Sequence, residues 1–402
     1  MNGMSGNRLK RLGTPVAAMA LLALLWAPGA SAQSRPGQSG QAVRVDTVSA
    51  GRLGWDPARL ERALGYADSL GTDALVIATE GRTVAAMGDL SARHPVASVR
   101  KALLNALVGQ HVGDGPDRIP LDATLEQLGI DDAPVPLTPL QRQATVLHLL
   151  KSVSGINHPA AAEQGMQAEK DRRLGRGENR PGTVWAYNNW DYNAVTTVFE
   201  RRTGQSVADA FAAGIAGPLG MQDFTPEAVT YIADRALSRH RAAMFAMSAR
   251  DLVRFGELYL GRGEYRGTRV LPAGWVDRIT TDYTETGMGG LRAGHGYLWW
   301  IPAADTGLPE GTYWALGLGF QAVFVIPAWR TVIVHQADMT AFWKRLFASI
   351  RQDGLAPAAA LERLILSCRT PAVEDAGYCR EDRFILRGEF ARLMSLVVAA
   401  RR

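Results

Sequence analysis

Apolar positions recur along this chain in two rhythms, one near 3.6 residues and one of 2. Leu60, Leu64 and Ala67 share one helical face. Asp56-Pro57 opens that helix with an N-cap and a proline at its first position, and Gly71 stops it. Two β-rich runs follow at 74–79 and 83–87, with Glu80-Gly81 as the turn, so the pair predicts a hairpin. Leu103, Leu104, Leu107 and Val108 make the apolar side of a helix from about 98 to 110. Residues 115–140 are rich in proline and aspartate and read as loops. Further helices are predicted at 140–151, 190–203, 207–215, 248–260 and 340–350. Ser248 and Asp251 are spaced like a capping box, and Gly204 and Gly261 act as stops. Residues 158–182, charged and glycine-rich, predict a surface excursion. Runs at 322–326 and 331–335 around Pro327-Ala328-Trp329-Arg330 predict a second hairpin. No internal repeat is present.

The order hairpin, helical middle, hairpin, helix predicts an α+β fold. In it a central antiparallel sheet joins both hairpins, with the first and late helices flanking it. The predicted domain covers 51–350, with a mostly helical lobe at about 105–245 inserted in the α/β lobe. Residues 351–402 form a C-terminal extension, in which Phe384, Leu386 and Phe390 suggest a helix packed on the body.

Composition changes the picture at the N-terminus. Arg8, Lys10 and Arg11 precede an apolar run at 16–27 that is too short to span a bilayer comfortably, and Ala30-Ser31-Ala32 precedes Gln33. Residues 1–32 therefore read as a cleaved signal peptide, and the expected location is periplasmic or secreted. Residues 33–50, opening with QSRPGQSGQ, read as a flexible leader. The chain has 44 basic and 39 acidic residues, and removing the three basic residues of the signal leaves 41 against 39. That balance, with no block of like charge, argues against a nucleic-acid partner. No later run is long and apolar enough for a transmembrane span. Cys368 and Cys379 suggest a disulfide across a short loop in an oxidising compartment.

The candidate chemistry begins with Ser98-Val99-Arg100-Lys101. Only five of the 44 basic residues are lysine (10, 101, 151, 170 and 344). A lysine three residues after a serine therefore stands out, because arginine cannot lose its proton and a desolvated lysine can. On a helix the two side chains share a face, and Ser98 would sit at the helix N-terminus, where developing negative charge is favoured. A simple capping role for Ser98 is an equal alternative from these residues alone. Tyr187-Asn188-Asn189 supplies a phenol that can relay a proton if a cation lowers its pKa, and an amide that can bond a lysine or a carbonyl. The alternative is a tyrosine packed among Trp185, Trp190 and Tyr192. Gly317-Leu318-Gly319 leads into a late strand and permits close approach to backbone, with a bulge or turn as the alternative.

Taken in order, these three elements resemble the serine β-lactamase and penicillin-binding protein superfamily. The similar branch holds class C β-lactamases, family VIII esterases and 6-aminohexanoate-dimer hydrolases. Further matches are Leu147-His148-Leu149-Leu150 with Ser154-Gly155, Pro218-Leu219-Gly220-Met221, Ser248-Ala249-Arg250-Asp251-Leu252 and Gly296-Tyr297-Leu298-Trp299-Trp300. The resemblance covers about 55–350 and implies a β-lactamase/transpeptidase-like fold. It implies Ser98 as the acylated nucleophile, Lys101 and Tyr187 sharing the proton work, and Asn189 orienting Lys101 and substrate. It places the oxyanion hole at the backbone N–H groups of Ser98 and Leu318, beside Gly317 and Gly319. One departure is plain: where the family carries Lys-Thr-Gly or a histidine variant, this chain reads Ala315-Leu316-Gly317. The cation and hydroxyl that would meet a penicillin carboxylate are missing, which points toward the esterase and aminohexanoate-hydrolase end.

The seven histidines (94, 111, 148, 158, 240, 295 and 335) are scattered without a zinc-hydrolase spacing, and no G-x-S-x-G elbow occurs. No metal or cofactor is expected. His240 could edge the cleft, His335 reads as structural, and Lys151 is expected on the last carbonyls of its helix. The sequence thus predicts an exported serine hydrolase acting through an acyl-enzyme on a small ester, amide or peptide. β-Lactamase or D-alanyl carboxypeptidase activity is the alternative among enzymes, and a non-catalytic binding or sensor protein the alternative of another class. The oligomeric state is left open.

Overall fold

The runs at 74–79 and 322–326 are apolar at nearly every position, a pattern that suits strands covered on both faces. In the computed structural model every residue of both runs is buried. Residues 43–163, 167–175, 179–340, 342, 344, 348 and 385–402 are described. The predicted signal peptide, residues 33–42 of the leader, Cys368 and Cys379, Phe384 and most of the helix predicted at 340–350 lie outside them. Residues 34–338 and 384–402 form one compact unit, and the account below concerns it. Of the residues outside that unit, 339, 340, 342, 344 and 348 are described, and positions 340, 342, 344 and 348 are helical.

The main sheet has nine strands. In chain order they are β1 (Arg44–Val45), β2 (Ala74–Thr79), β3 (Arg82–Gly88), β4 (Thr284–Glu285), β5 (Gly294–Gly296), β6 (Trp299–Ile301), β7 (Tyr313–Leu316), β8 (Ala322–Ile326) and β9 (Thr331–Gln336). Their spatial order is β1-β3-β2-β9-β8-β7-β6-β5-β4, antiparallel throughout. The two predicted hairpins meet at the centre, where Ile77 opposes Ile333. Five helices matter most: α1 (Pro57–Ser69), α2 (Arg100–His111), α3 (Asn189–Thr203), α4 (Ala249–Leu260) and α5 (Arg387–Ala399).

Strand alternation assigns these helices to faces. A Cβ added at Gly256 of α4 would lie 2.4 Å from Val332 and 3.3 Å from Val323, so α4 packs directly on that face of β8 and β9. Phe324, the next residue, points the other way and stacks on Trp314 at 4.5 Å and faces Phe390 of α5 at 6.3 Å. Phe390, Leu393, Met394 and Val397 of α5 are buried, and α5 packs beside α1. Burial of four such side chains contributes about 6–12 kcal/mol before chain entropy is subtracted. No described helix is long and apolar enough to cross a membrane.

Several predicted elements differ from the observed ones. The end of the predicted leader is structured: β1 pairs with β3, and a helix at Thr47–Arg52 buries Ala50. The helix predicted at 140–151 is a 3-10 turn, Gln141–Gln143, then a helix Val146–Leu150 restarted by the Thr145 cap. In the segment at 158–182, expected as a surface excursion, His158, Ala160, Ala161, Lys170 and Leu174 are buried, while Pro159, Asp171, Arg172 and Arg180 are exposed. A three-stranded sheet of Arg93–Pro95, Ala242–Ser248 and Val229–Ile232 was not predicted, nor were the short strands β4 to β6. Strands of two or three residues show no periodicity to read.

Candidate active site

The approach to Ser98 is extended because Arg93–Pro95 pairs with Ala242–Ser248. Ala97 then turns the chain with φ 45°, a left-handed value that costs a non-glycine residue about 1–3 kcal/mol. A 3-10 turn, Ala97–Val99, runs straight into α2. Ser98 is thus held on the first turn, half-buried, and Lys101 follows one turn later.

Lys101 Nζ lies 2.6 Å from Ser98 Oγ and 2.6 Å from Tyr187 Oη. Only 2% of Lys101 is exposed. Burial pushes its pKa well below 10.5, the neighbouring Arg100 charge lowers it further, and Glu163 opposes both. Burial also pushes Tyr187 up to about 12, against a hydrogen bond with Ser98 that lowers it. Burial thus favours the neutral form of each group, the free amine of Lys101 and the protonated phenol of Tyr187. Arg100 and Arg292 do lower the tyrosine pKa, but desolvation outweighs them.

The Tyr187 ring stacks on Trp300 at 5.6 Å and meets Tyr192 edge-on at 5.2 Å. Both readings left open in the sequence coexist: the ring packs in an aromatic cluster while its hydroxyl faces Lys101. Trp190 belongs elsewhere, against His158 and His240. Asn188 caps α3 and donates to Ile156 O and Asp191 Oδ1. Ser154 Oγ donates to the same carboxylate at 2.6 Å. Burial raises the Asp191 pKa well above the usual carboxylate range. Asn189 does not meet Lys101 through its amide as expected; its Nδ2 donates to Glu163 Oε1 at 3.0 Å. Lys170 Nζ stands 3.6 Å from the other Glu163 oxygen. Glu163 and Lys170, which sequence reasoning left on the surface, therefore back the site.

The third wall is a turn, not a glycine-bearing strand. Gly317 ends β7, and Leu318–Phe320 form a 3-10 turn before β8, with Gly319 at φ 76°. A Cβ on Gly317 would lie 2.4 Å from Val96 O and 3.1 Å from Ser98 N, so only glycine lets this turn reach the backbone of Ser98. His335 Nδ1 donates to Phe320 O at 2.7 Å, and its Nε2 is 2.9 Å from Thr72 Oγ1. Burial pushes His335 down to about 4, so it is neutral and fixes the turn as a donor. His240, by contrast, is buried against Trp190 and Thr197. Lys151 pairs with Asp282, correcting its expected place on helix carbonyls.

Ser98, Tyr187, Asn189, Gly317, Leu318 and Gly319 all line one cleft of about 490 Å³. Its other walls are largely apolar and include Trp300, Trp314, Phe320 and Phe390. Lys101 lies behind Ser98. Two cations, Arg292 and Arg387, also line the cleft, and sequence reasoning missed both. Trp300 belongs to a matched motif and Phe390 to the helix expected on the body, but nothing in the sequence placed Phe390 or Arg387 in the cleft.

The chain belongs to the beta-lactamase family, whose model matches residues 58–337. It has the fold of that family, and the family is one of hydrolases. Among solved structures, it is similar to a protein described as a 6-aminohexanoate-dimer hydrolase from Bacillus anthracis. That pair is 24% identical, with 68% of this chain and 75% of the other covered at a TM-score of 0.52. An octameric penicillin-binding protein homologue from Pyrococcus abyssi matches at 19% identity, 78% and 82% coverage and a TM-score of 0.52. EstCE1, a hydrolase with promiscuous acyltransferase activity, matches at 16% identity, 72% and 94% coverage and a TM-score of 0.50. At these identities the likeness is one of fold. No curated protein gives a match.

Proposed function

We propose that this chain is a serine hydrolase that forms an acyl-enzyme on Ser98 and cleaves a small ester or amide. The observation that carries this reading is a buried amine 2.6 Å from both the hydroxyl of Ser98 and that of Tyr187. Neutral Lys101 takes the Ser98 proton as Oγ attacks the substrate carbonyl. The oxyanion that forms is met by the backbone N–H groups of Ser98 and Leu318. The proton on Lys101 then passes through the Tyr187 hydroxyl to the leaving oxygen or nitrogen as the carbonyl re-forms. Water, deprotonated by the same pair, attacks the acyl-enzyme and returns Ser98 to its hydroxyl form.

A fluorophosphonate probe tests the nucleophile. The expected result is labelling of Ser98 and of nothing in Ser98→Ala; a folded native protein that stays unlabelled would instead support a binding protein on this fold. Ala315 and Leu316 offer neither the cation nor the hydroxyl expected for penicillin recognition. Esters and linear amides are therefore the proposed substrates ahead of β-lactams and D-alanyl peptides. The N-terminal segment supports action outside the cytoplasm.

A further inference from the structure

The cleft carries two positive charges that the reaction above does not use. Arg292 lies on the loop before β5, half-buried, with its guanidinium 5.8 Å from the Trp300 ring centroid. Arg387 is the first residue of α5, about ninety residues later in the chain. Both line the same cleft as Ser98 and Tyr187. Among the described residues, no carboxylate lies within ion-pair distance of either guanidinium. Other arginines are matched, such as Arg142 with Asp131, Arg173 with Glu169 and Arg250 with Asp223. Burial lowers the pKa of Arg292, and the Arg387 charge lowers it further. Half-buried Arg292, set among Trp300, Trp314 and Phe390 with the charge of the exposed Arg387 nearby, is better solvated once an anion pairs with it. A guanidinium fork suits a carboxylate, and the apolar surroundings strengthen the pairing.

We propose that Arg292 and Arg387 form an anion subsite, so that the substrate is an ester or amide bearing a carboxylate a few bonds from the scissile carbonyl. The subsite is built from a loop and the C-terminal helix, not from the strand position that reads Ala315-Leu316-Gly317. It rests on the hydrolase reading of the same cleft.

Two matched pairs of esters test it. Mono-p-nitrophenyl adipate against p-nitrophenyl hexanoate places the carboxylate on the acyl side. 4-Butyryloxybenzoate against phenyl butyrate places it on the leaving side. In at least one pair the carboxylate should raise kcat/KM tenfold or more. Arg292→Gln and Arg387→Gln should each cut that ratio at least threefold, while Arg292→Lys and Arg387→Lys should keep part of it. A ratio of one or less in both pairs, or a ratio that neither glutamine variant lowers, overturns the subsite. Should native protein hydrolyse none of the four esters, the hydrolase reading fails. The subsite is then judged by calorimetry on Ser98→Ala protein, where tighter binding of the carboxylate esters, weakened by both glutamine variants, upholds it and equal binding refutes it.

Discussion

Burial penalises the charged form of Lys101 and so favours the neutral amine, which the proposed mechanism uses as its base and which an arginine would not supply. Lys101→Arg should therefore lower p-nitrophenyl ester turnover about a thousandfold, within the range expected for a lost general base, with folding checked by circular dichroism. The sign of the pH dependence follows. The base form exists above the depressed lysine pKa, so kcat/KM should rise with pH through that value and level off well below 10.5. A rise centred near 10.5 would remove Lys101 from the role. Gly317→Ala puts a methyl against Val96 O and beside Ser98 N. Its kcat/KM should fall about a hundredfold, the scale of one lost oxyanion donor. Ser98 and Lys101 were legible at this scale because a scarce lysine one helical turn from a serine is a local pattern. The partner of Asn189 was not legible, because Glu163 lies 26 positions away and nothing in its spacing couples the two.

Elements were legible where their period is long enough to count. The helix opened by Asp56-Pro57, both hairpins and the helix from Ser248 occur close to where apolar spacing and caps set them. The strands β4 to β6 are too short for that, although each pairs with the strand next to it in sequence. Packing between elements is where mutation should register. Gly256→Val pushes a branched side chain into Val332, and urea unfolding should show a loss of about 1–3 kcal/mol. Phe390→Ala removes a ring stacked on Phe320 at 4.4 Å, and should cost about 3–5 kcal/mol by the same measurement. It also strips one wall of the cleft.

For the whole molecule, the cleft is assembled from segments near residues 98, 187, 290, 317 and 390, which only the folded sheet and the returning C-terminal helix bring together. At the strand position where a β-lactamase of this family would present a lysine, that assembly has Ala315, and its two arginines come from a loop and from α5 instead. Nitrocefin turnover should accordingly be slow or absent in a stopped-flow or plate assay, and rapid turnover would show that the missing strand cation is dispensable. By itself the sequence determined the α+β class, the two central hairpins and the serine–lysine pair, since each rests on contacts within a turn or a hairpin. Tertiary structure alone decided that the amine is desolvated, that Glu163 backs Asn189, and that α5 closes the cleft with a cation. Those facts depend on which surfaces lose water to one another, a property of chain segments that meet only after folding.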